Sequence, residues 1–75
     1  MSKYELYIMV VGGDDDDERL IYQGDSLKEL DDTVLKYNDE VINDLDKYFE
    51  LSTESESYTF YSYSDFLQLV NNTGF

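Results

Sequence analysis

The sequence predicts an α+β domain: a three-stranded antiparallel sheet with one long amphipathic helix on one face and a short C-terminal helix, in the order β-β-α-β-α. Three observations carry this expectation. Two strand-like segments flank a glycine-containing acidic connector, a long run of apolar residues at spacings of three and four follows, and a strand pattern and a helix pattern close the chain. With 41% hydrophobic and 16% aromatic residues and no proline, the 75 residues read as one domain and not as a disordered tail.

Residues 4–11 alternate, with Tyr4, Leu6, Ile8 and Val10 on one face and Glu5, Tyr7, Met9 and Val11 on the other. Both faces are largely apolar, which predicts a central strand or one covered on both sides. Gly12 and Gly13 open the connector, and residues 19–23 resume the β pattern with Leu20 and Tyr22 opposed to Ile21. The pair reads as a hairpin whose tip carries five consecutive carboxylates, Asp14, Asp15, Asp16, Asp17 and Glu18.

Ser26-Leu27-Lys28-Glu29 matches a capping box, with Ser26 as N-cap and Glu29 reaching back to it. Leu27, Leu30, Val34, Tyr37, Val41, Leu45 and Tyr48 then form one helical stripe, flanked by Leu35, Ile42 and Phe49. Asn38-Asp39 is a weak point, but the stripe keeps phase through it, so one helix is expected to about Glu50. Residues 52–57 form a polar loop. Residues 58–63 make the third strand, with Tyr58 and Phe60 facing one way and Thr59, Tyr61 and Tyr63 the other. Ser64 is the expected N-cap of the last helix, with Asp65 at its positive end and Phe66, Leu67, Leu69 and Val70 on its apolar side. No internal repeat is evident.

Eighteen acidic residues stand against five basic ones, for a formal net charge of −13 with no histidine. Such a charge opposes compaction, and solubility alone needs a magnitude of only about 2–8. The negative field is therefore expected to have a use. It repels anionic lipid and nucleic acid, so neither a membrane nor direct nucleic-acid binding is expected, and a basic DNA-binding protein is the expected partner. No secretory signal pattern or long apolar run is present, and a cytoplasmic location is expected. Without His or Cys the usual bases, nucleophiles and metal ligands are missing, so no enzyme, cofactor or metal site is expected. The acidic run lacks the alternating ligands and central glycine of an EF-hand loop.

The candidate partner-binding carboxylates are the hairpin tip and the outer helix face. Asp32, Asp39 and Asp46 recur at heptad spacing, so they line up about 10 Å apart. Glu40 flanks them and Glu50 extends the row, with Lys28, Lys36 and Lys47 as compensation. Eight tyrosines are the second unusual count. Tyr7, Tyr22, Tyr61 and Tyr63 are expected to cluster on the sheet face away from the helix. That face is suited to a protein partner or to burial in a homodimer.

In size and charge the chain resembles the small acidic DNA-mimic proteins that phages make to disable host DNA-binding proteins. A local likeness to the phage uracil-DNA glycosylase inhibitors covers residues 8–35, through Asp14 to Asp17, Tyr22 and Ser26-Leu27. That family inserts an apolar side chain from early in its helix, and Leu30 is the nearest match, although it is not aromatic. This chain is also longer, with an extra Tyr-rich strand and a terminal helix. The resemblance implies a DNA-mimic inhibitor, acting in a host cytoplasm, that competes with DNA for a glycosylase, a nucleoid protein, or a Cas or restriction nuclease. The alternatives are an interaction module using the tyrosine face or a strand edge, and an acidic structural subunit.

Overall fold

A computed structural model describes residues 2–13 and 18–74. Along the chain run β1 (Tyr4–Val10), β2 (Arg19–Gly24), α1 (Leu27–Ile42), β3 (Lys47–Ser52), β4 (Ser57–Phe60) and α2 (Tyr63–Thr73). The fold is α+β with an antiparallel sheet and two helices. The sheet has four strands and not three, in the order β2-β1-β3-β4. A hairpin followed by a helix thus occurs twice, and β1 and β3 join the two units. The repeat lies in structure alone, because the two hairpin connections and the two helices differ in length.

The added strand takes the place of the last third of the expected long helix, which ends at Ile42 and not near Glu50. The break sits in Asn43-Asp44-Leu45-Asp46, past the Asn38-Asp39 site where weakness was expected. Short polar side chains there offer the backbone local acceptors that compete with the helical ladder. Asn43 caps the helix by donating its N–H to the Asp39 carbonyl at 3.2 Å, and the Asp46 N–H turns to the Asp44 carboxylate at 3.0 Å. Beyond the turn the pattern has period two. Phe49 and Leu51 are fully buried, while Tyr48 and Glu50 point to the opposite face. Leu45, a core position in the helical reading, is 98% exposed.

β1 is central, flanked by β2 and β3. Its partners on β3 include Leu6↔Leu51 and Ile8↔Phe49 on the inner face, with Tyr7↔Glu50 and Met9↔Tyr48 on the outer. On β2 a bulge shifts register between Leu6 and Tyr7, leaving Ile21 as the extra residue between Tyr22 and Leu20. Both helices cover the inner face. The core joins Tyr4, Leu6 and Ile8 of β1, Phe49 and Leu51 of β3, Phe60 of β4, Leu30, Val34 and Val41 of α1, and Phe66 of α2. Phe49 stacks on Phe60 at 5.1 Å between ring centroids, and Phe60 meets Phe66 at 5.5 Å. Among the described residues no helix is long and apolar enough to cross a membrane.

Two tyrosines hook the helices to the rest of the fold. The Tyr22 hydroxyl accepts from the Ser26 N–H at 3.1 Å and lies within reach of the Ser26 carbonyl and the Glu29 carboxylate. Gly24 makes room for it, since a Cβ there would meet the hydroxyl at 2.6 Å. The expected capping box is therefore half right. The Ser26 Oγ accepts from the Glu29 N–H at 3.2 Å, but the Ser26 N–H goes to Tyr22 and not to the Glu29 side chain. On α2 the N-cap is Ser62, not Ser64, with its Oγ accepting from the Asp65 N–H at 3.1 Å. This is the spacing that lets a hydroxyl reach the third helical N–H. β4 accordingly ends at Phe60, and Tyr63 is the first helical residue. Its N–H donates to the Asn38 side chain at 2.8 Å and its hydroxyl to Asp31 at 3.0 Å, tying α2 onto α1. Asn38 is thus a docking point for α2 and not a defect in α1.

Truncating Phe49→Ala is expected to cost about 3–5 kcal/mol, the range for emptying a buried aromatic site. Leu45→Lys should shift stability by less than about 0.5 kcal/mol, as at an exposed position. Urea unfolding of the two variants measures both. Equal losses would mean that α1 continues through residue 45.

Candidate functional site

The candidate site is the sheet face that neither helix covers. Strand alternation and register place Glu5, Tyr7 and Met9 of β1 there, with Tyr48, Glu50 and Ser52 of β3, Leu20 and Gln23 of β2, and Thr59 of β4. Tyr61, just past β4, joins them, its ring centroid 6.1 Å from that of Tyr48. Apolar and aromatic side chains form the middle of this face. The carboxylates are inside it, with Glu50 directly opposite Tyr7, and Glu5 accepting from the Gln23 amide at 3.1 Å.

No basic residue of the strands points to this face. The two that the strands contain, Arg19 and Lys47, pair with Ile8 and Val10 and so stand on the helix side. There both converge on Glu40 of α1, the Lys47 ammonium at 3.1 Å and the Arg19 guanidinium at 2.6 Å. These cations, the Lys47 hydrogen bond foremost, hold the Glu40 carboxyl below the usual carboxylate range. Lys28 lies 3.8 Å from Asp32, and Lys36 lies over the Tyr37 ring. Lys3, just before β1, has its ammonium 5.4 Å from the ring centroid of the core residue Tyr4. The basic residues are thus drawn to the helix side, and the open face keeps its negative charge.

Tyr7 senses this. Its hydroxyl ionises above the ordinary tyrosine value, first because the ring is partly buried, then because Glu5, Glu18 and Glu50 surround it with negative charge. Tyr63 is also raised, through the hydrogen bond it donates to Asp31.

The structure divides the expected site residues into separate groups. Asp32 and Asp39 are exposed on α1, about 10 Å apart along its axis. Asp46 is exposed in the turn before β3 and is not a member of a helical row. Glu50 lies in β3 on the open face, on the other side of the molecule from α1, so it does not extend that row. Glu40 is the ion-pair hub and is not free to mimic a phosphate. Glu18 is exposed at the entrance to β2, and Asp14, Asp15, Asp16 and Asp17 lie outside the described residues. Leu30 is fully buried and has no surface to insert into a partner.

The expected four-tyrosine face is likewise corrected. Tyr7 and Tyr61 belong to the open face, whereas Tyr22 and Tyr63 are the hooks that hold α1 and α2. The residues that complete the face, Tyr48, Met9 and Glu5, were not singled out in the sequence. Tyr48 was hidden by its assignment to the helix. The alternation of residues 47–52 was the signal that could have revealed it.

No family model, curated protein or solved structure matches this chain. A function must be read from the chemistry of the surface.

Glu50→Gln should lower the ionisation midpoint of Tyr7, while leaving it above that of a free tyrosine because ring burial is the larger cause. Ring-carbon chemical shifts followed against pH test this. An unchanged midpoint would mean that Glu50 does not face the phenol.

Proposed function

We propose that this chain is a non-catalytic binding protein that occupies the nucleic-acid-binding surface of a basic partner and competes with DNA. The observation that carries the reading is the uncompensated acid. Among the described residues, ion pairs engage only Asp32, Glu40 and Asp44. The remaining described carboxylates project a negative field from a rigid frame of 29 × 25 × 19 Å. Duplex DNA presents a fixed negative charge about every 1.7 Å of axis, and a groove built for it attracts any rigid acidic body of suitable width. The likeness in size and charge to phage DNA-mimic inhibitors supports the same reading.

The acids are distributed over two sides of the molecule. On α1 the exposed Asp39 and, in a loose 3.8 Å pair with Lys28, Asp32 supply an axial row, and Glu5, Glu18 and Glu50 supply a second set about the open face. A groove that encloses the domain meets both, as a groove enclosing a duplex meets two phosphate strands.

The protein immobilised on a resin should retain nucleic-acid-binding proteins from a bacterial lysate at low salt. Added duplex DNA should displace them, and retention should fall steeply as salt rises toward about 0.5 M. Asp32→Asn combined with Asp39→Asn should weaken retention about two- to five-fold per site at low salt. Partners that neither DNA nor salt removes would overturn the reading.

A further inference from the structure

The open face has properties that a purely phosphate-like surface does not need. Five large apolar or aromatic side chains, Tyr7, Met9, Leu20, Tyr48 and Tyr61, share this face with Glu5 and Glu50 and no cation from the strands. Three occupants can be weighed against these observations. A second copy of the chain would set Glu5 and Glu50 against their own counterparts, adding a second −13 to the first. The area also argues against it. Four short strands about 4.8 Å apart and roughly 20 Å long give a footprint of about 300–400 Å², under half of the ~800 Å² per partner of a stable interface. A neutral apolar segment would bury the charge of Glu50 and of Glu5, the latter held only by the neutral Gln23 amide, with no cation to offset either, which is costly. A basic segment satisfies both the charge and the size of the patch.

The rings choose between the two basic side chains. An ammonium is a compact, strongly hydrated charge that gains little from a phenol ring. A guanidinium is planar and weakly hydrated, stacks on aromatic faces and forks onto carboxylates in a two-pronged geometry. A tyrosine directly across the strands from a glutamate, as Tyr7 is from Glu50, supplies both contacts at one place. Tyr48 beside Tyr61 supplies a second ring platform on the same face.

We infer that the open face of the sheet docks an arginine-bearing segment of the basic partner, guanidinium groups lying on the Tyr7 and Tyr48 rings and pairing with Glu50 and Glu5. The inference rests on the reading that the partner is basic, and it adds which surface takes the partner and which cation that surface selects. The α1 acids then act at longer range, through attraction alone.

The test titrates the isotope-labelled protein with oligoarginine and with oligolysine of equal length, at near-physiological ionic strength, following backbone amide shifts. Oligoarginine should bind about five-fold more tightly, with shifts concentrated at Tyr7, Met9, Tyr48 and Glu50. Tyr48→Ala should erase most of that preference while sparing oligolysine, and Glu50→Gln should weaken both peptides. The same spectra report whether each variant is folded, and the wild-type comparison needs no variant. Equal affinity for the two peptides, no binding of either, or shifts that follow Asp32 and Asp39 would overturn the inference. Binding along α1 with no arginine preference would still leave the DNA-competing function standing. Failure of that wider reading shows differently, as retained partners that duplex DNA does not displace.

Discussion

The pairing of β1 with β3 is the constraint on which the rest of this structure depends. It joins two hairpin–helix units, which also meet where α1 packs over β3 in the shared core, where Lys47 of β3 pairs with Glu40 of α1, and where Tyr63 of α2 bonds Asp31 and Asn38 of α1. On its inner side it aligns Leu6 with Leu51 and Ile8 with Phe49, giving both helices one continuous apolar floor. On its outer side the same register sets Tyr7 against Glu50 and Met9 against Tyr48. A slip of one residue would exchange the two sets, putting Glu50 under the helices and Phe49 into water. Core and candidate site are therefore specified by a single register.

The first hairpin, the start of α1 and the C-terminal helix were legible because each has a local cause. Residues 4–10 alternate cleanly, Ser26 and Asp65 mark helix starts, and Gly74 in the left-handed region closes α2. β3 was not legible because its apolar residues fall where two periods agree. Val41, Leu45 and Tyr48 fit a helical stripe, while Phe49 and Leu51 fit a strand. Spacing does not arbitrate between these. The deciding chemistry is in residues 43–46, where the Asn43 N–H caps the helix and the Asp44 carboxylate accepts from the Asp46 N–H to turn the chain. Once residues 47–52 are a strand, they also supply the central partner that β1 needs, since both of its faces are apolar. The sequence carried that need from the start, without naming the partner.

The candidate site was legible in composition but not in arrangement. An excess of acid and of tyrosine is plain from counting, yet counting does not say which tyrosines are structural. Tyr22 and Tyr63 look like surface aromatics until the backbone N–H of Ser26 and the carboxylate of Asp31 are found at their hydroxyls. Tyr22 satisfies the N–H of the α1 N-cap across the turn from β2, and Tyr63 donates to a carboxylate of α1 32 residues away, so neither role shows in the residue count. Glu40 misleads in the same way. In sequence it is one more acid on a helix, whereas in space it is where Arg19 of β2 and Lys47 of β3 meet α1.

The placement of Arg19 and Lys47 has a consequence for how charge is tolerated. Surface ion pairs contribute little each, about 0–1 kcal/mol, and cannot offset a charge of −13. What Arg19 and Lys47 do is lower repulsion in the layer where strand and helix must approach, around Glu40. The open face approaches nothing within the fold, so its carboxylates are separated by water and by neutral rings, and their repulsion is screened. Acid is thus left where it costs folding least and where an incoming cation would find no competitor. A partner that brings guanidinium groups to that face also removes part of the repulsion that opposes compaction. Binding and folding are then coupled with the same sign, and an acidic domain with a small core is at its most stable when its face is occupied.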